Sequence, residues 1–401
     1  MSISTCAEAL SAGAALLDEV ADVLAERVLS AEPPAWAVAR GWDTWLAQLS
    51  PAVLDGVERD GLTWWAGHLP DAPESLVDLC HRVRSLMLFP KEPVLPIEPD
   101  APMKGASVRK QAQVRAFVHA LQDRDAASGR IVDIGSGHGH LTRTLSDALG
   151  CRALGLEAVE QRVWRAQALA EGDARVEFAH VDALKDQWPL EAGDVVVGLH
   201  ACGRLGDAAV EAVGDAPEVS LALVGCCAQK MHTCPRHPRS SLGKALGIDF
   251  EQPLLSFANF ALPTGVSLEE VARGRAWRHG LEVLLRGRGL DVDVVSAPRG
   301  VSRRAMQHSF ERAARVALER RGLPPATEAE LTAAEAEGAT IYAAVRRWSQ
   351  PRRMLSRVIE LVVALDRICA LEEQGRPVEI MYLFPQSISP RNILIWSGAR
   401  P

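Results

Sequence analysis

The chain has 401 residues, 48% of them hydrophobic, and a formal net charge of -7. This is ample apolar material for a core and more length than one ordinary domain needs. The charge excludes a globally basic nucleic-acid binder, though not a local basic patch.

Residues 1–88 read as a helical N-terminal domain. Leu17, Val20, Val23, Leu24 and Val28 fall at helical spacing. Trp36, Trp42, Trp45, Trp64 and Trp65 lie in the same region and read as core anchors rather than a ligand cage. Residues 89–102 are proline-rich and read as a linker. From residue 103 the pattern changes. "VRKQAQVRAFVHALQ" is an amphipathic helix with Val114, Phe117, Val118 and Leu121 on one face. Short apolar strands then alternate with helices: "RIVDI", "RALGLE", "RVEFAHV", "DVVVGLH" and "VSLALVGCC". This alternation predicts an α/β domain over 103–401, with a parallel sheet covered on both faces. The alternation stops at about 228–350, which reads as an insertion on top of the sheet after the fifth strand. The periodic helix "MLSRVIELVVALDRICALEEQ" follows, then the strands "EIMYLF" and "NILIWSG". The seven residues "PQSISPR" between them are too few for a helical crossover, so these two should pair antiparallel.

No apolar run reaches the ~18 residues that a spanning helix needs. The N-terminal "MSISTCAEAL" lacks the basic and apolar regions of a signal peptide. The eight cysteines show no framework spacing and read as reduced thiols of a cytoplasmic protein.

"VDIGSGHGHLT" follows the first strand of the alternating region and opens a helix. Glycines there let a ligand approach backbone N–H groups closely. A dinucleotide fingerprint would need its third glycine at position 140, where His140 stands. The D-x-G-x-G-x-G pattern instead resembles the first motif of the class I S-adenosylmethionine-dependent methyltransferases. The resemblance implies a Rossmann-like sheet with an antiparallel last strand and S-adenosylmethionine as cofactor. It places Asp133, Gly135, Ser136, Gly137 and Gly139 at the cofactor. Glu157 ends the second strand, where a carboxylate can accept ribose hydroxyls. Asp182, beside Ala183, ends the third, where a carboxylate can accept the adenine amino group.

"GLHACG", "GCC" and "LFPQSISPRNILIW" are further similar to a family of eukaryotic methyltransferase-like proteins carrying His-x-Cys-Gly, Gly-Cys-Cys and Ser-Pro-Arg-Asn in these places. "MKGASVRKQAQV" resembles their pre-motif helix, with Arg109 and Lys110 where paired lysines are usual. The strand ends are also similar to those of transfer-RNA acceptor-stem 2′-O-methyltransferases, but Ala228 and Gln229 replace the usual histidines.

In open α/β sheets, chemistry sits at the C-terminal strand ends. That places His200, Cys202, Cys226 and Cys227 near the transferred methyl. His200 is the first candidate for a proton acceptor and also a cofactor contact, since imidazole titrates near neutral pH. A cysteine nucleophile would suit carbon methylation of a pyrimidine. A zinc site from Cys226, Cys227, His232, Cys234 and His237 fits the usual ligand spacing poorly, so no metal is expected. Lys230, Arg236, Arg239 and Lys244 form a basic stretch that could meet RNA or protein, and Arg299, Arg303, Arg304, Arg312 and Arg315 follow. The sequence therefore points to a methyltransferase of a macromolecule, RNA ahead of protein. A non-catalytic cofactor binder or scaffold, or a small-molecule methyltransferase, is the alternative.

Overall fold

The computed structural model describes residues 3–60, 71–92, 108–124, 129–225, 228–231, 235–258 and 267–400. Trp64, Trp65, residues 93–102, Cys226, Cys227, His232 and Cys234 lie outside them. The described residues cluster into two compact units. One comprises Met1–Glu19, Ser85–Phe260 and Leu355–Pro401, the other Val20–Arg84 and Ala261–Met354.

The first unit holds a seven-stranded sheet of β1 (Ile131–Ile134), β2 (Ala153–Glu157), β3 (Val176–His180), β4 (Val195–Leu199), β5 (Ser220–Val224), β6 (Val378–Tyr382) and β7 (Ile393–Ser397). Their order is β3-β2-β1-β4-β5-β7-β6. The pairs among β1 to β5 are parallel, and β7 runs antiparallel to both β5 and β6. This is the Rossmann-like sheet expected from the sequence, with the expected antiparallel final pair. Every residue of β1 and β2 is buried, as continuous apolar runs in a covered parallel sheet should be. β3, at the sheet edge, alternates instead, with Val176 and Phe178 buried and Glu177 exposed. Phe117 and Leu121 of helix Val108–Gln122 and Leu145 of helix His140–Leu149 join Ile131, Val197, Val224 and Leu394 in one apolar cluster. Each such burial is worth about 1.5–3 kcal/mol relative to exposure.

Two polar devices fasten the long helix Gln350–Glu372 to this sheet. The first explains "SPRN". Asn392 donates to the Phe384 carbonyl at 2.7 Å, Arg357 donates to Asn392 Oδ1 at 2.9 Å, and Glu360 accepts from Arg391 at 2.9 Å. The second is a buried ionic cluster. Asp207, on helix Arg204–Gly214, accepts from Arg236 at 3.0 Å and Arg367 at 2.8 Å. Asp366 accepts from the Arg236 guanidinium at 2.8 Å and from the Ser240 backbone N–H at 3.0 Å. Arg236 is 1% exposed and Asp207 and Asp366 are 0%. Burial alone would raise the Asp207 pKa, but the Arg367 and Arg236 guanidiniums outweigh it and hold it at about 2. Gly203 and Gly206 leave room for this packing, since a Cβ on Gly206 would meet the Arg367 guanidinium at 2.8 Å.

Arg236 is therefore not a surface cation of a basic insertion, as the sequence suggested; it neutralises two buried carboxylates. Arg239 is also engaged, its guanidinium pairing with Glu211. Lys230 and Lys244 are exposed.

The second unit is helical and has its own core. Gly280 of helix Leu268–Gly287 and Gly338 of helix Glu328–Trp348 allow backbone approach, since a Cβ on Gly338 would lie 2.3 Å from the Gly280 nitrogen. Trp277, Leu281, Phe310 and Leu318 are buried in this unit. Trp36 and Trp42 stack edge to face with centroids 6.2 Å apart, and both are buried. Arg346 joins these parts by pairing with Asp55 at 2.5 Å and Glu58 at 2.9 Å. Residues 261–354 thus cluster with 20–84, not with the sheet: Arg346 pairs with Asp55 and Glu58, and the Trp348 indole donates to the Ala31 carbonyl at 3.1 Å. Helix Cys6–Glu19 clusters with the sheet unit, where Gly13 approaches Val362. Among the described residues no helix is long and apolar enough to cross a membrane.

Removing Arg236 leaves two buried carboxylates short of a partner. Arg236→Ala should lower unfolding free energy by about 3–5 kcal/mol, and Lys244→Ala by less than about 0.5 kcal/mol. Urea denaturation of both variants measures the difference.

Candidate active site

The glycine loop leaves β1 after Ile134 and enters helix His140–Leu149. Gly135, Gly137 and Gly139 have φ of 68°, 60° and 70°, a left-handed region costly for other residues. At Gly139 a second constraint acts, since a Cβ there would lie 2.2 Å from the Phe178 ring of β3. Glu157, at the end of β2, accepts the Gly137 N–H at 2.9 Å and the Val159 N–H at 3.0 Å, with Arg162 at 3.4 Å. The predicted ribose acceptor is thus tied directly to the loop.

The loop forms one wall of a cavity of ≈ 570 Å³. Arg109, Lys110 and Gln113 of helix Val108–Gln122 stand on another side, with Leu199 and His200 at the end of β4. Asp133 lines the cavity and is 2% exposed. Burial pushes its pKa up to about 7, although the Thr142 hydroxyl donates to it at 2.6 Å. Ser136 Oγ and Gln113 Nε2 are buried here without a hydrogen-bond partner. Such orphaned groups cost about 1–3 kcal/mol each unless a ligand or water meets them.

His200 has φ 74°, unusual for a side chain with a Cβ. Its N–H donates to the Val224 carbonyl at 2.9 Å, continuing the β4–β5 ladder through the strained residue. Its Nε2 lies 3.1 Å from Gln113 Oε1. Burial, then Arg109 and Lys110, lower its pKa, so the ring is neutral at pH 7.

Cys202 is disulfide-bonded. The expectation that all eight cysteines are reduced fails for Cys202 and its partner, while Cys6, Cys80, Cys151 and Cys369 are free. Cys226 and Cys227 lie outside the described residues. Asp182 and Ala183 follow β3 outside the cavity lining; Asp182 pairs with Lys185 at 2.8 Å, and the Ala183 carbonyl accepts from Trp188 at 3.1 Å. Of the zinc candidates, His237 pairs with Asp249 at 2.8 Å. Among the described residues no His, Cys, Asp and Glu group is arranged to hold a metal.

Residues 109–234 match a protein family described as methyltransferase domain. This segment is similar to that family's methyltransferase domain. The family's cofactor is S-adenosylmethionine. The glycine cradle, two carboxylates and unpartnered polar groups suit a ligand rich in hydroxyl, amino and carboxylate groups.

Among solved structures, the chain is similar to a SAM-dependent methyltransferase from Geobacter sulfurreducens in complex with S-adenosyl-L-homocysteine. The identity is 22%, the match covers 26% of this chain and 47% of that one, and the TM-score is 0.21. The sugar N-methyltransferase KedS8 from Streptoalloteichus is 15% identical over 33% of this chain and 59% of its own, with a TM-score of 0.24. A Haloferax volcanii methyltransferase solved with the Trm112 activator is 22% identical over 29% and 60%, with a TM-score of 0.21. The chain spans about half the length of the first solved structures it matches.

Sequence reasoning passed over Gln113 because helix Val108–Gln122 was read by its apolar face. Arg109 and Gln113 fall at i, i+4, and Lys110 and Gln113 stand one turn before Val114 and Phe117, so these polar groups flank the apolar face.

A Cβ at position 139 meets both a positive φ and the Phe178 ring. Gly139→Ala should lower stability by about 1–3 kcal/mol, whereas Gly150→Ala meets only the φ cost. Thermal unfolding of the two variants should rank them in that order.

Proposed function

We propose that the chain binds S-adenosylmethionine in the cavity beside the glycine loop and catalyses methyl transfer from it. The observation that carries this reading is a cavity walled by the glycine loop, which Glu157 holds through the Gly137 N–H, with unpartnered polar groups of Ser136 and Gln113 in its lining. The glycines of residues 135–139 would let the cofactor approach the loop closely, with the unpartnered Ser136 hydroxyl donating to it. Glu157 would accept its ribose hydroxyls and Asp182, beside Ala183, its adenine amino group. The cofactor, when bound, supplies an electrophilic methyl on a sulfonium. Asp133 offers that cation a counter-charge inside a low-dielectric wall. His200, neutral at pH 7, serves as proton acceptor or substrate-positioning group. Cys202, in a disulfide, has no thiolate to offer.

The substrate is read as a macromolecule, RNA ahead of protein. With Arg236 and Arg239 engaged in ion pairs, the support in that stretch comes from Lys230 and Lys244. Labelled S-adenosylmethionine added to extract lacking the gene product, with purified protein, tests the reading. Label should enter an RNA or protein fraction; label in neither, or only in small molecules, rejects the macromolecule.

Two outcomes follow for the site. His200→Ala should lower turnover by about 10²–10⁴-fold, with cofactor affinity changed much less; equal loss of both would remove its catalytic role. Asp133 holds a proton up to about pH 7, and a bound cation favours its ionised form. Affinity for S-adenosylmethionine should therefore fall as pH drops from 8 to 6, by up to about tenfold per unit. Asp133→Asn should flatten that profile, measured by calorimetry.

A further inference from the structure

Gln113 sits on helix Val108–Gln122 and is 3% exposed. Glutamine is seldom so buried without full hydrogen bonding. Here one end of the amide is engaged and the other is not. Oε1 lies 3.1 Å from His200 Nε2, while Nε2 of the amide has no partner and its residue lines the cavity. An amide oxygen is only an acceptor, so the imidazole must present Nε2–H to it. In a neutral ring the lone pair then resides on Nδ1. The same amide keeps two N–H donors on the cavity side.

We infer that Gln113 is a positioning residue with two duties: its Oε1 fixes His200 in the Nε2–H tautomer, and its Nε2 donates to an oxygen of the bound cofactor. The second duty rests on the reading of the cavity as a cofactor site; the first does not. The geometry distinguishes Gln113 from a merely structural side chain. A packing role would be filled by leucine, at lower desolvation cost and with no orphaned donor. A carboxylate at 113 would be a different device, because it would hold the imidazole protonated.

The charged and titratable groups around His200 on the cavity wall are Arg109 and Lys110 from the same helix as Gln113, Asp133 from β1, His138 and His140 from the loop, and Arg162 beyond β2. Arg109 and Lys110 act to keep His200 neutral. Against this background, replacing the neutral amide by a carboxylate adds one charge at hydrogen-bond distance and leaves the others in place.

The experiment uses the full chain labelled with ¹⁵N-histidine, with the His200→Ala spectrum assigning the His200 signals. The wild type should show the Nε2–H tautomer at neutral pH. Gln113→Glu should raise the His200 pKa by about one to three units, and Gln113→Leu should lose the single tautomer. Far-ultraviolet circular dichroism checks that both variants keep the fold. A wild-type Nδ1–H tautomer, or a folded Gln113→Glu with unmoved His200 titration, overturns the first duty. For the second, calorimetry with S-adenosylhomocysteine should show about tenfold weaker binding to Gln113→Leu. Unchanged affinity in that folded variant overturns it. If wild type binds no S-adenosylhomocysteine, the cofactor reading and the second duty fail together, and the tautomer result stands alone.

Discussion

Four buried charges hold the C-terminal edge of the sheet in place. Asp207 and Asp366 could not be sunk among apolar residues singly, because an unpaired carboxylate loses several kcal/mol of hydration. Arg236 and Arg367 make the burial tolerable, and each uses its planar fork to reach more than one acceptor. The Arg367 bond to the Gly203 carbonyl brings the constraint to the turn after β4, three residues from His200. The segment beyond β5 is tied down through Arg236 and Ser240. What surrounds the cavity is positioned by an electrostatic network as well as by the apolar core beneath the sheet.

The cavity itself works by leaving some requirements unmet. Most buried polar groups of the unit are paired, down to the backbone carbonyls at 213, 216 and 219 served by Arg376. Guanidinium nitrogens of Arg124, Arg236, Arg239 and Arg357 lack a hydrogen-bond partner too, but around the glycine loop several kinds of departure meet. A serine hydroxyl and a glutamine amide are buried unpaired, a histidine is held at positive φ, and a carboxyl is lifted towards neutrality. Such departures concentrate where structure is kept ready for a ligand.

The sheet was legible from "RIVDI" to "NILIWSG" because buried strands show as apolar runs between glycines and charges. The antiparallel end was legible from the shortness of "PQSISPR". The glycine loop could be read because positive φ restricts the choice of residue. Arg236 could not be read correctly, since its partners Asp207 and Asp366 are remote in sequence and no local pattern marks a buried arginine. Nor could the clustering of 261–354 with 20–84 be foreseen, because two amphipathic helices do not say whose apolar face each will cover. In helix Val108–Gln122, Gln113 is buried beside the apolar face one turn before Phe117, and no local pattern marks a buried glutamine as a site residue.

The interleaving of the two units along the chain has a consequence for synthesis. The sheet unit draws on residues before 20 and after 354, and β7, which pairs with β5, is made only after residues 261–354 of the helical unit. Until it arrives, the edge of β5 presents unpaired backbone groups, a surface prone to pair with other chains. A nascent chain would hold five of the seven strands while residues 261–354 of the helical unit follow. Contacts of such long separation make folding slow, and the exposed edge makes delay hazardous. Neither unit can be released by a single cut, so the chain must become two units at nearly the same moment.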